Sequence, residues 1–207
     1  MKIALFQGEG LSRAPSEVIE IMRQAASEAA DDGADLVVFP ELFLTGYNLG
    51  DDAREFAEHK NSKNNKRIVD IAQNYAISIV YGFIEEDSGK YYNTARFISK
   101  SGSTLLNHRK CALFGPYEQE VFDRGNTIDL VSFGDFTIGL LICYEIEFPE
   151  YARTLAQKGA DLIVAISATS GGYSYVSETL VPARAIENQI FVAFANRCGR
   201  ESDLAYS

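Results

Sequence analysis

Helical and strand patterns alternate along this chain of 207 residues, which predicts an α/β fold with antiparallel hairpins inserted. Three observations carry that reading. Continuous apolar runs such as Leu36-Val37-Val38-Phe39 and Leu162-Ile163-Val164-Ala165-Ile166 suit strands covered on both faces. A segment with apolar residues at helical spacing, or one opened by proline and closed by glycine, precedes each of them. Between Tyr81 and Ile142, short strand-like runs instead flank glycine-containing turns.

Each element has its own local reason. Ile3 to Phe6 reads as a first strand. Pro15-Ser16-Glu17 opens a helix in which Val18, Met22, Ala25, Ala26 and Ala29 recur on one face, and Asp31-Asp32-Gly33 ends it with a glycine suited to a left-handed cap. Leu36 to Phe39 is the next strand. Ile68, Ile71, Ala72 and Tyr75 mark a second helix, followed by a strand over Ile77 to Tyr81. Hairpins are predicted around Ser101-Gly102-Ser103 and Gly134-Asp135. After Cys143, Pro149 starts a helix at a favourable first-turn position, and Gly159 closes it before the strand Leu162 to Ile166. A helix over Glu178 to Asn188 and a strand over Ile190 to Ala195 complete the pattern. Gly33-Ala34-Asp35-Leu36-Val37-Val38 is echoed by Gly159-Ala160-Asp161-Leu162-Ile163-Val164. Either helix-to-strand joints converge on this form, or the chain has two similar halves.

Composition excludes more than it proposes. The chain is 46% hydrophobic and 23% charged, so it is globular rather than disordered. Its net charge of −10 argues against nucleic-acid binding and against docking on an anionic membrane. No apolar run approaches the length of a bilayer span, and the N-terminal run is too short for a signal peptide. The expected location is cytoplasmic. Cys111, Cys143 and Cys198 give neither a disulfide framework nor zinc spacing, and His59 and His108 are the only histidines. No metal and no cofactor is expected.

Polar or reactive residues stand at three apolar strand ends, where α/β folds place their sites. Phe39-Pro40-Glu41 delivers a carboxylate, Arg109-Lys110 follows Leu105-Leu106, and Leu140-Leu141-Ile142 ends on Cys143. Singly, each is read more simply as a cap, a surface cation or core filling. Together they supply a nucleophile, a base and a cation. A thiol needs a base to take its proton, and with so little histidine a carboxylate is the natural one. Lysine and the backbone N–H of Tyr144 would stabilise an oxyanion. A Cys-His pair would need His59 or His108.

These segments resemble the nitrilase superfamily of carbon–nitrogen hydrolases, whose signature is a Glu-Lys-Cys triad. The matching residues are Glu41 in Phe39-Pro40-Glu41-Leu42-Phe43, Lys110 in His108-Arg109-Lys110, and Cys143 in Leu141-Ile142-Cys143-Tyr144-Glu145. The resemblance runs from about residue 3 to 204 and takes in Arg184-Ala185-Ile186-Glu187-Asn188 and Ala195-Asn196-Arg197. It implies a four-layer α-β-β-α sandwich as one carbon–nitrogen hydrolase domain over residues 1–207, C-terminally short and lacking the usual last strands. It also implies a homodimer or higher homo-oligomer.

A second glutamate is implied between the lysine and the cysteine. Glu118 fits, with Glu120 as its competitor and surface charge as the simpler alternative. Cys143-Tyr144-Glu145 is closer to the Cys-Tyr-Asp of amidase-like members than to the Trp-Glu of nitrilases or the Trp-Asp of carbamoyl-polyamine hydrolases. The implied reaction is hydrolysis of a small carboxamide to acid and ammonia through a thioester, with nitrile or N-carbamoyl hydrolysis as alternatives. A catalytically silent binding or assembly module is the reading from another class. Tyr47, Tyr117, Glu145 and the Ser167 to Tyr175 segment are substrate-pocket candidates. Cys111, in an expected strand, and Cys198 are read as packing, and Arg184 with Glu187 as a local ion pair.

Overall fold

The computed structural model describes residues 1–8, 14–201 and 204–206. In chain order the elements are β1 (Ile3–Leu5), α1 (Pro15–Asp31), β2 (Leu36–Val38), β3 (Glu58–His59), α2 (Lys63–Asn74), β4 (Ser78–Asp87), β5 (Lys90–Ile98) and β6 (Thr104–Arg109). There follow α3 (Gly115–Val121), β7 (Leu130–Phe133), β8 (Phe136–Ile142), α4 (Pro149–Gln157), β9 (Leu162–Ser167), α5 (Val181–Asn188), β10 (Phe191–Asn196), β11 (Gly199–Glu201) and β12 (Leu204–Tyr206). One sheet has the order β1-β2-β4-β5-β6, with β3 also on β4. The other has the order β10-β9-β8-β7, and β11 pairs β12.

Side-chain alternation along the strands builds four layers. Leu36, Val38 and Val80 of the first sheet meet Ile138, Leu140, Ile142, Leu162, Val164 and Ile166 of the second between the sheets. Val37, Ile79 and Tyr81 point the other way, onto Met22, Ala26, Ile68 and Ala72 of α1 and α2. Leu141, Ile163 and Ala165 likewise turn outward to Ala152 and Leu155 of α4. Successive strand residues face opposite sides, so strands covered on both must be apolar throughout. The expected α-β-β-α sandwich is therefore present.

The sequence echo has an atomic counterpart. Gly33 and Gly159 both take positive φ, 74° and 98°, which favours glycine. Gly33 N donates to Ala30 O and Gly159 N to Ala156 O, at 2.9 and 3.0 Å. Asp35 and Asp161 then accept the backbone N–H of Lys2 and Thr137 on the neighbouring strand, at 2.8 and 2.7 Å. Each joint lies within three adjacent parallel strands, β1-β2-β4 in one half and β8-β9-β10 in the other.

Three local expectations need correction. β4 continues to Asp87 and forms a long antiparallel hairpin with β5; its charged end, Glu85-Glu86-Asp87, hid the strand. The helix expected from Glu178 opens as a π-turn over Val176–Leu180 before α5. Cys111 lies beyond β6, in a bend rather than in a strand. Among the described residues, no helix is long and apolar enough to cross a membrane.

Candidate active site

Glu41 follows β2 in a segment that still runs along β4, with Phe39 N on Val80 O and Leu44 N on Gly82 O. The backbone presses so closely that a Cβ on Gly82 would stand 2.3 Å from Leu42 N. Leu42 itself sits at φ 47°, a left-handed conformation unusual for a branched residue. This bend buries the Glu41 side chain completely. Its Oε1 accepts from Asn93 Nδ2 and from Lys110 Nζ, both at 2.7 Å. Its Oε2 has no hydrogen-bond partner among the described residues.

Lys110 directly follows β6 and is also fully buried. Asn93 O receives its N–H, and Gly125 N donates to its carbonyl, each at 2.8 Å. Its ammonium is shared between Glu41 and Glu118 Oε1, the latter at 2.8 Å. Glu118 is buried on α3 and also accepts from Tyr47 Oη and Phe114 N, both at 2.7 Å. Glu120, two residues on, is exposed. Burial works against the Lys110 charge, but the Glu41 and Glu118 carboxylates overcome it and raise its pKa. Burial pushes the Glu118 carboxyl up, Lys110 opposes that, and the Glu41 charge adds to it.

Cys143 terminates β8 and opens a short 3₁₀ helix, Cys143–Glu147, at φ 48°. Such a conformation costs about 1–2 kcal/mol in an L-residue. Its Sγ lies 3.7 Å from Thr169 Oγ1, which in turn meets Ser167 Oγ at 2.6 Å. Burial, aided by the Glu41 charge and opposed by Lys110, pushes the thiol up to about 12. The N–H groups of the first helical turn, Tyr144 included, meet no earlier carbonyl of that helix.

The 3₁₀ turn is anchored from below. Glu145 is fully buried and accepts from Ile142 N and Cys111 N at 2.7 Å and pairs with His108 Nε2 at 2.8 Å. Burial disfavours its charge, but His108 and the two N–H groups overcome that and hold its carboxyl below the usual range. Arg184 donates to the carbonyls of Ile146 and Glu147 and pairs with Glu187 at 3.1 Å.

A cavity of about 70 Å³ opens at Cys143, lined by Tyr47, Phe114, Glu147, Thr169 and Tyr173 among others. The Ser167 to Tyr175 segment contributes Ala168, Thr169, Ser170 and Tyr173 to the lining, whereas Glu145, Tyr117 and Ser167 are not part of it. Glu145 faces the turn beneath Cys143, Tyr117 Oη caps Tyr47 O at 3.1 Å, and the Ser167 hydroxyl meets both Thr169 Oγ1 and Cys143. Neither histidine contacts Cys143. His108 is committed to Glu145, and exposed His59 pairs with Glu86. A roomier groove of about 630 Å³, lined by Glu85, Arg96 and Arg109, includes none of Glu41, Lys110, Glu118 and Cys143.

Sequence reasoning missed four residues here. Asn93 holds Glu41 by its side chain and Lys110 by its carbonyl, and its only signal is an amide in mid-strand. Asn196 fixes Thr169 through Oδ1 and Nδ2, at 2.8 and 3.0 Å. Arg197, fully buried, donates to the carbonyls of Glu41 and Leu42 and pairs with Glu201 at 2.8 Å. Glu201 accepts from the N–H groups of Tyr47 and Asn48. Arg197 and Glu201 therefore hold both ends of the segment that carries Glu41.

Known proteins resemble this chain over nearly all of its length. A family model described as carbon–nitrogen hydrolase matches residues 2–207. The hydrolase in the pqqF 5′ region of Pseudomonas protegens is 40% identical over all of this chain and 73% of its own length. An (R)-stereoselective amidase of a Pseudomonas species is 33% identical over 98% of this chain and 73% of its own. The crystal structure of an amidase from Nesterenkonia sp. superposes with a TM-score of 0.91 at 32% identity, covering 99% of this chain and 79% of that one. A mutant of that amidase carries the acetamide moiety of fluoroacetamide on its active-site cysteine.

Proposed function

This chain belongs to the carbon–nitrogen hydrolase family, and on that premise we propose that it hydrolyses a small linear carboxamide to carboxylic acid and ammonia through a thioester on Cys143. The observation that carries this reading is the buried Glu41–Lys110–Glu118 cluster, in which one carboxylate oxygen, Glu41 Oε2, has no partner among the described residues. A thiol pushed up to about 12 stays protonated at neutral pH, so attack requires a base within the site.

Glu41 Oε2 takes the Cys143 proton as Sγ bonds to the amide carbon. The developing oxyanion is met by Lys110 Nζ and the Tyr144 N–H. Glu41 returns the proton to the departing nitrogen, the C–N bond breaks and ammonia leaves. Glu41 then deprotonates water, whose oxygen displaces Cys143 from the thioester and regenerates the thiol. Glu118 has a positioning role, holding the Lys110 ammonium and the hydroxyl of Tyr47, which lines the cavity.

Ammonia release across small carboxamides, nitriles and N-carbamoyl compounds tests the reading, with carboxamides expected fastest. Cys143→Ala should lower turnover on the order of 10⁶-fold, as for other covalent nucleophiles. It should also remove the acyl adduct from intact-protein mass spectra. Undiminished ammonia release in that variant, or no carboxamide hydrolysis by the wild type, overturns the proposal. Silence across the panel with an unreactive Cys143 would favour the binding module.

A further inference from the structure

We propose that Glu147 makes the Cys143 cavity a cation-accepting site, so that the preferred substrate is a short carboxamide whose acyl chain carries an ammonium group. This rests on the amidase reading above and names the substrate class within it. Among the described residues, Glu147 is the only charged side chain lining the cavity. Three of its other walls are aromatic, namely Tyr47, Phe114 and Tyr173, and a carboxylate among aromatic faces is a setting that recognises ammonium.

Among the described residues, no cation forms an ion pair with that carboxylate. Arg184 reaches Glu147 only at its backbone carbonyl, 2.7 Å away, and directs its charge to Glu187. Lys110 acts on it only through space, its ammonium being paired with Glu41 and Glu118. The side-chain partner of Glu147 is the neutral Tyr175 hydroxyl, at 3.4 Å. Burial accordingly raises the Glu147 carboxyl, which a cationic ligand would relieve. The cluster behind Cys143 adds two carboxylates against one ammonium, so the field at the cavity favours a cation and opposes an anion. The cavity is small, which limits the acyl chain to a few atoms.

The test compares kcat/KM for three amides of nearly equal size: 3-aminopropanamide (cationic), butyramide (neutral) and succinamate (anionic). The wild type should follow that order, with at least tenfold between cation and anion, and the gap should narrow as salt rises. Glu147→Gln should cut the cation-to-neutral ratio about tenfold, and Glu147→Arg should move the preference to succinamate. Use of ratios keeps the readout independent of any general loss of activity. Butyramide turnover without a cation preference, or a ratio unchanged in Glu147→Gln, overturns the cation site and leaves amide hydrolysis standing. No turnover of any of the three overturns both.

Discussion

Two buried ion clusters meet at Glu41, and they are built on opposite terms. Arg197 and Glu201 pair one to one and are otherwise fully partnered: Arg197 donates to the carbonyls of Glu41 and Leu42, and Glu201 accepts from the N–H groups of Tyr47 and Asn48 and from the Tyr206 hydroxyl. Glu41, Lys110 and Glu118 instead set two carboxylates against one ammonium and leave Glu41 Oε2 unpartnered. A buried charge costs several kcal/mol unless it is paired and hydrogen-bonded. The first cluster meets that condition and holds a loop still. The second falls short of it, and in the proposed mechanism the shortfall supplies the base. The difference teaches that burial and ion pairing alone do not distinguish a structural cluster from a reactive one; the unsatisfied atom does.

Glu41→Gln tests the reactive cluster hardest. Loss of the general base should lower kcat/KM by about 10²- to 10⁴-fold. Thermal unfolding should hold or move upward, because one of two like charges around Lys110 is gone. The Glu41 charge also raises the Cys143 pKa, so alkylation of Cys143 by iodoacetamide should quicken at mildly alkaline pH in this variant even as turnover falls. A large loss of stability in Glu41→Gln would erase the distinction between the clusters.

Arg197→Ala tests the other. It strands the Glu201 carboxylate, and chemical denaturation should show a loss of about 3–5 kcal/mol, as when one partner of a buried pair is removed. Activity should fall with it, since the Glu41 and Leu42 carbonyls each lose the guanidinium donor that fixes the segment. Full stability in Arg197→Ala would show that the bracket is dispensable.

The smallest effect concerns Glu145, which sharpens the comparison as a third buried carboxylate with all its partners met. Its folded pKa is depressed, so its contribution to stability is present above the unfolded value of about 4.3 and is lost as pH falls through the folded value. Glu145→Gln should therefore flatten the acid limb of the stability-against-pH curve. An unchanged limb would contradict the role given to His108 and the Ile142 and Cys111 N–H groups.

Much of this was legible in the chain. Apolar runs at period two and at helical spacing located most elements, and three strand ends displayed Glu41, Lys110 and Cys143. The echo of Gly33-Ala34-Asp35 in Gly159-Ala160-Asp161 marked two joints with the same hydrogen bonds. The charged tail of β4 was missed because Glu85-Glu86-Asp87 interrupts the apolar pattern, although Glu85 is buried against Arg109. Glu145 was expected beside the substrate because it lies two residues from Cys143. A 3₁₀ turn instead directs it beneath the cysteine.

The sequence by itself determined the order of strands and helices, the apolar faces and the kinds of reactive group at the strand ends, because these follow from periodicity and residue chemistry over a few positions. Only the tertiary structure decided that Asn93, Arg197 and Glu201 serve Glu41, that Glu145 serves the cysteine turn, and that Glu147 rather than Glu145 faces the cavity. Those assignments depend on hydrogen bonds between residues as far apart as 52, 156 and 154 positions, and no local pattern encodes which distant partner a buried polar group will meet.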